Sequence, residues 1–379
     1  MPANPFAALT LEQLRSRTSV KWQQFEPDVL PLWVAEMDLP IAPQIEEALV
    51  AAVRAGDLGY PGSWPYREAF ADFAADTWGW APSVDDMRPM ASVIAGYVDA
   101  ILVATEPNTQ VVVTSPVYPP FFSYLREAER DIVEAPLGED LRIDFAVLEA
   151  AFAKVTADGR TAAFLLCNPH NPGGTVHSRE ELATVAALAS KYGVQVVSDE
   201  IHAPVIYAES TFVPYLTVDP RGVALHSASK GWNLAALPAA IVVFGTEAGK
   251  LKQDFMAGAH HWPTHFGTIA QTVAFRDCRE WFADVLVGLD ENRHLLAELI
   301  AEQLPGARYE LPAATYLTWI DCRELGLGDD PAAVFRERGR VALNSGPTFG
   351  TGGAGHVRLN IATSPDILRE AVRRMASVL

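Results

Sequence analysis

Cysteine is scarce in this sequence: Cys167, Cys278 and Cys322 are its only three, an odd number set far apart. That spacing excludes a disulfide framework and a cysteine metal cluster, and it points to reduced thiols in a cytoplasmic protein. No apolar run is long enough to cross a bilayer. The first residues, MPANPFAALTLEQLRSRT, have neither the basic start nor the apolar stretch of a signal peptide. Positive charge is also short, with 29 Lys plus Arg against 47 Asp plus Glu and a net charge of −18. Such acidity argues against a nucleic-acid or anionic-membrane surface, and no helix-turn-helix or basic arm offsets it. Repeats of fixed period and low-complexity tracts are missing as well.

What remains is a globular composition, 49% hydrophobic and 20% charged, over 379 residues, a length suited to two or three packed units. A first helix should start after Thr10, with Gln13 closing a capping box. Val29 to Val34 is a short apolar run, and Pro43 should open a helix that Gly56 ends. From about residue 90 to 245, β-rich runs alternate with helical stretches. The runs are VVVTS (111–115), DIVEA (131–135), AAFLLC (162–167), VQVVSD (194–199), VALHS (223–227) and AAIVVFG (239–245). The clearest helix is Arg179 to Tyr192, capped by Ser178 with Glu181 three residues on. This alternation predicts an α/β fold with a mostly parallel sheet between helices. After 265 long helices are expected, through Ala283 and again from Leu286 to Gln303. A smaller α+β unit should follow, with strands near 316–321 and 356–362 and a last helix capped by Ser364. The gap near 285 suggests two domains, a large one over 39–284 and a small one built from 1–38 and 285–379.

Parallel sheets bind ligands at the carboxyl ends of their strands, so the residues just past each run are the informative ones. VVVTS leads to Tyr118, AAFLLC to Asn171 in NPHNPGG, VQVVS to Asp199 and then His202, and VALHS to Lys230 in HSASKGWNLAALP (226–238). A lysine at the end of a buried strand must find an anion, lose its charge or form a covalent bond. Each residue alone has a plain structural explanation: a turn, a cap, a core aromatic. Together at one sheet edge they are the set that pyridoxal 5'-phosphate chemistry needs. A lysine amine binds the cofactor and moves protons, and a carboxylate holds the pyridine nitrogen protonated. Asn171 and His202 could contact the ring hydroxyl while Tyr118 stacks on the ring. The phosphate wants hydroxyls and a helix N-terminus; Ser92 and Val93, opening a helix that runs to Ala104, and Ser227 offer these.

These motifs resemble the fold-type I pyridoxal-phosphate enzymes of the aminotransferase class I/II superfamily. Within it the chain is most similar to the MalY/PatB-type cystathionine β-lyases, or cysteine-S-conjugate β-lyases. The likeness covers nearly the whole chain: LPLWVAEMD (30–38), GYPGSWPYREA (59–69), PVYPPF, NPHNPGG, SDEIH, SASKGWN and VRLNIATS (357–364). It implies a seven-stranded-type sheet and a smaller C-terminal α+β domain. It makes Lys230 the Schiff-base residue and, with Tyr118 and Asp199, the catalytic set. Arg358 would bind the substrate α-carboxylate, with Asn171, Ala35 and Tyr60 as further substrate contacts. Tyr60 would also reach the phosphate of the neighbouring subunit, which implies a homodimer with composite sites.

Two departures stand out. Relatives carry a glycine and then a basic residue after the lysine motif, where this sequence has Ala236 and Pro238, so a phosphate contact is expected to be missing. The stretch AGAHHWPTH (257–265) is rich in histidine; the resemblance places this region against the partner's active site, where it could recognise an atypical substrate, the alternative being a partly exposed loop. It makes a poor zinc site because Pro263 breaks the helical spacing of His261 and His265, and no metal is expected. GTGGAG (350–355) matches a dinucleotide fingerprint in letters only. It precedes a predicted strand and reads as a flexible loop before Arg358. The activity expected is β-elimination from an S-substituted cysteine to thiol, pyruvate and ammonia. An aminotransferase or decarboxylase on the same scaffold uses the same residues, and a regulatory protein retaining the fold is the other alternative.

Overall fold

The computed structural model describes residues 4–62, 64–258 and 262–379. Its centre is a sheet of seven strands: β1 (Met87–Met90), β2 (Gln110–Val113), β3 (Asp131–Glu134), β4 (Ala162–Cys167), β5 (Val194–Asp199), β6 (Val223–His226) and β7 (Ala240–Phe244). The spatial order is β1-β7-β6-β5-β4-β2-β3. Strands β3, β2, β4, β5 and β6 run parallel, whereas β7 is antiparallel to both β6 and β1. The six apolar runs thus became strands. The seventh, MRPM, escaped the sequence reading because Pro89 argues against a central strand. It lies at the sheet edge, where a missing N–H costs little.

All six residues of β4 are buried, and the pleat sends them alternately to two cores. Ala163 and Leu165 join Val111, Val113 and the helix Val93–Ala104 on one face, while Phe164 and Leu166 join Val112, Phe152 and Val185 on the other. Each of the Val, Leu and Phe side chains contributes about 1.5–3 kcal/mol on leaving water. The helix Val93–Ala104 lies against the sheet at Gly96. There a Cβ would come within 2.6 Å of Leu225 Cδ2 and 2.8 Å of Val242 Cγ2. That close approach sets the start of the helix beside the carboxyl end of β6.

The expected interruption near 285 is absent. One helix runs unbroken over Arg279–Gln303, and the break falls at Cys278. Phe282, Val285, Leu289, Leu296 and Ile300 form one buried stripe through it. Gly288 sits mid-helix because Pro5 Cδ and Phe6 Cδ2 would lie 2.8 and 3.1 Å from a Cβ there. Beyond this helix, Leu317–Asp321 and His356–Asn360 pair antiparallel at the centre of a four-stranded sheet. The N-terminal Leu30–Pro31 runs parallel to Val341–Ala342. The GTGGAG segment turns directly into His356–Asn360 and opens no helix. It is tied down, since Thr351 N–H donates to Glu134 Oε2 (2.7 Å) and Val117 N–H to Phe349 O (2.9 Å). Among the described residues no helix is long and apolar enough to cross a membrane, and no cluster of His, Cys, Asp or Glu is placed to hold a metal.

Candidate active site

Parallel strands β4, β5 and β6 end side by side, and the turns that follow enclose a cavity of about 230 Å³. Ser92, Val93, Tyr118, Asn171, Asp199, His202, Ser227, Lys230 and Ala35 all line it. These nine expected site residues come from segments far apart in the chain, and the fold brings them to one place. Arg358 lies just behind this wall. It is 4% exposed, and its guanidinium donates to Asn171 Oδ1 (3.1 Å), Asn344 Oδ1 (2.7 Å) and Trp33 O (3.1 Å). Tyr60 is not part of this gathering: it is 99% exposed, away from the cavity of its own chain. His260 and His261 lie outside the described residues, while His265 faces Asp57 Oδ2 at 3.1 Å.

Burial sets the electrostatics. It lowers the Lys230 amine to about 8, helped by the positive charge of Arg358 and opposed by Asp199. It pushes Asp199 up to about 7, against the pull of the Ile201 N–H and of Lys230. One Asp199 oxygen accepts from Ile201 N–H at 3.1 Å, which leaves the other available to a ligand. His202 is held neutral by burial and by the nearby charges of Lys230 and Arg358, and its Nδ1 is buried without a partner among the described residues. Tyr118 is pushed up to about 12 by burial, with Arg358 pulling the other way, so it stays a neutral aromatic face.

Also on the cavity wall, Ser92 caps the helix Val93–Ala104 by accepting from Ala95 N–H at 3.1 Å. The first backbone N–H groups of any helix lack intrahelical partners, and here Val93 and Ile94 line the cavity. Ser227 is less free than its position suggests. Its Oγ lies 2.7 Å from Ala239 O and 3.1 Å from Gln271 Oε1, and it accepts from Ser229 N–H at 3.1 Å. With one hydroxyl proton, Ser227 must turn away from these acceptors to donate to a ligand. Gln271 itself was missed. Fully buried, it accepts from Tyr66 Oη (2.7 Å) and Ala228 N–H (2.9 Å) and donates to Ala239 O (2.9 Å). A lone glutamine on the buried face of the helix His265–Asp277, between Ala270 and Ala274, was the available signal. Asn344, in a two-residue strand, gave none.

A carboxylate, a lysine amine, an imidazole, an aromatic face and a helix N-terminus around one cavity, on a mostly parallel sheet, define a site for a planar anionic cofactor. The family model for aminotransferase class I and II matches residues 62–375. A Mycobacterium leprae protein named "Putative cystathionine beta-lyase" is 45% identical over 398 residues, spanning 100% of this chain and 99% of the relative. The cystathionine beta-lyase of Corynebacterium glutamicum is 34% identical, over 97% of this chain and 99% of its own length. Among solved structures, a PLP-dependent beta-cystathionase candidate from Corynebacterium diphtheriae is 32% identical. It superposes with a TM-score of 0.89 over 98% of both chains. The chain belongs to the aminotransferase class I and II family.

Proposed function

We propose that this chain is a pyridoxal 5'-phosphate-dependent carbon–sulfur β-lyase that converts an S-substituted L-cysteine and water to a thiol, pyruvate and ammonia. The observation that carries the reading is the convergence of Lys230, Asp199 and His202 on one cavity with Arg358 buried behind Asn171. The residues fit the cofactor because their unsatisfied groups complement it: an Asp199 oxygen, His202 Nδ1 and the first N–H groups of a helix. When bound, pyridoxal 5'-phosphate supplies an electron sink that lets the substrate Cα–H bond ionise.

Lys230 would hold the cofactor covalently, Asp199 would face its pyridine nitrogen, and Asn171 and His202 its ring hydroxyl. Tyr118 would stack on the ring, with Ser92, Val93 and Ser227 at the phosphate. A cation against Asp199 compensates its burial, so the carboxylate can be charged when the site is loaded. Arg358 can present a guanidinium fork to the substrate α-carboxylate, and Asn171 and Ala35 flank the same region. An amine lowered to about 8 has a useful neutral fraction near neutral pH, so Lys230 can take the proton from Cα. The thiolate then leaves from Cβ, and hydrolysis of the remaining fragment gives pyruvate and ammonia. Complete exposure of Tyr60 supports a homodimer in which it reaches the partner's site. Three buried free thiols accord with a cytoplasmic enzyme.

The test is to load the protein with pyridoxal 5'-phosphate and supply L-cystathionine and several other cysteine S-conjugates. Matched release of pyruvate, ammonia and thiol is expected. Transfer of the amino group to a 2-oxo acid, or release of carbon dioxide in place of pyruvate, would overturn the lyase reading.

A further inference from the structure

Residues 33–38, Trp-Val-Ala-Glu-Met-Asp, form no helix or strand, yet side chains from distant parts of the chain engage every carbonyl from 33 to 37. Arg358 donates to Trp33 O (3.1 Å), and Tyr316 Oη donates to Ala35 O (3.3 Å). Asn360 Nδ2 spends both hydrogens here, on Val34 O (2.7 Å) and Glu36 O (2.8 Å). Lys21 Nζ also reaches Glu36 O (3.0 Å) and pairs with Asp38 Oδ2 at 2.7 Å, both side chains being buried. Asn233 grips Met37 twice, donating to its carbonyl (3.0 Å) and accepting from its N–H (2.8 Å). Irregular backbone has no ladder of its own to satisfy it, so these side chains stand in for one.

The origin of the two asparagines is informative. Asn233 lies three residues after Lys230 in the same turn, where Leu234 N–H donates to Ser229 O at 2.9 Å. It holds a left-handed φ of 57°, a conformation asparagine tolerates better than most residues. Asn360 lies two residues after Arg358 on the same strand, is 1% exposed, and also accepts from Ala362 N–H at 2.7 Å. One strap therefore joins the turn of Lys230 to the strand of Arg358, and Ala35, midway along it, lines the cavity. The N–H of Ala35 makes no hydrogen bond among the described residues.

We infer that Asn233 and Asn360 are positioning residues for amino-acid binding: by pinning the strap they fix Ala35 and the Trp33 carbonyl, and through them the aim of Arg358 toward Lys230. The inference rests on the proposed function for its choice of ligand, an α-amino acid. Without either asparagine the fold keeps its sheet and its cofactor residues, but the carboxylate end of the site loosens.

The experiment uses the pyridoxal 5'-phosphate-loaded protein and Asn233→Ala, Asn360→Ser and Asn360→Asp, the last exchanging only the amide nitrogen for oxygen. L-Alanine, which has no group to eliminate, is titrated while the visible absorption of the bound cofactor is followed. Losing one or two such bonds should weaken L-alanine binding, and raise KM for a cysteine conjugate, by about tenfold. The change in kcat should stay within about threefold, with the absorption of the unliganded holoenzyme unchanged. Unchanged L-alanine affinity in variants with lowered thermal stability would overturn the inference, because the asparagines would then support only the fold. If Asn360→Ser does not fold, Asn360→Asp is judged by the same criterion. A wild type that binds L-alanine but releases no pyruvate from any conjugate would defeat the lyase reading and leave this inference standing.

Discussion

Replacing Pro238 with lysine should tighten the grip on pyridoxal 5'-phosphate. Pro238 lines the cavity with Ser92, Val93 and Ser227, and Lys230 is the one lysine or arginine among the lining residues described. The phosphate would therefore rest on neutral donors, one of which, Ser227, is already engaged by Ala239 O and Gln271. A lysine ammonium reaching it adds one charge-assisted hydrogen bond, worth about 1.5–3 kcal/mol, or roughly one to two decades in affinity. The position is exposed, so the longer side chain has room. The Pro238 carbonyl accepts from Thr264 N–H and Thr264 Oγ1, both at 3.0 Å, and a lysine keeps those contacts. Losing the ring costs about 0.4–1 kcal/mol of stability through the unfolded chain, a term that does not enter the binding constant. Dissociation constants from equilibrium dialysis of wild type, Pro238→Lys and Pro238→Ala separate gained charge from lost ring. Pro238→Lys binding no tighter than Pro238→Ala would refute the reasoning, and would mean that another group already neutralises the phosphate.

Two further outcomes follow from the same geometry. Burial raises Asp199 from 3.8 to about 7, so the folded cofactor-free protein holds that proton more tightly than the unfolded chain. The resulting penalty is absent below about pH 4, grows as pH rises and is complete above about pH 7. Cofactor-free Asp199→Asn should then be about 2–4 kcal/mol more stable than wild type near pH 8 in urea unfolding, with the difference vanishing near pH 4. A gap of equal size at both pH values would show that the carboxylate is not protonated by burial. For the dimer, inactive Lys230→Ala subunits mixed with Tyr60→Phe subunits should regain about a quarter of wild-type activity through one intact site per heterodimer. No recovery after verified subunit exchange would remove Tyr60 from the composite site.

Six of the seven main strands were legible because each is a short β-rich run, most of them buried on both faces though the edge strand Asp131–Glu134 is only partly so, and the ligand-facing residues followed from where those runs end. Met87–Met90 was not, because Arg88 and Pro89 carry no strand signal and only the partnership with β7 makes a strand of them. The sequence pattern suggests a helix break near 285, whereas it lies at Cys278. The contact that accommodates Gly288 comes from Pro5 and Phe6, on a segment nearly the whole chain away. Within the site, Asn171, Asp199, His202 and Lys230 announced themselves by type and spacing. Gln271 and the strap-holding Asn233 and Asn360 did not, since their roles are side-chain-to-backbone contacts between segments apart in sequence, nor did Asn344, whose side chain accepts from the Arg358 guanidinium. Tyr60 illustrates the opposite limit: a motif named it, but on its own chain it stands exposed.

The central claim is that Lys230 is the residue that binds pyridoxal 5'-phosphate covalently. The direct measurement is borohydride reduction of the loaded wild type, followed by proteolysis and mass mapping. The reduced cofactor's added mass is expected on the peptide carrying Lys230, and none on that peptide in Lys230→Ala. Loaded wild type that gains no such mass, or gains it on a different lysine, would contradict it.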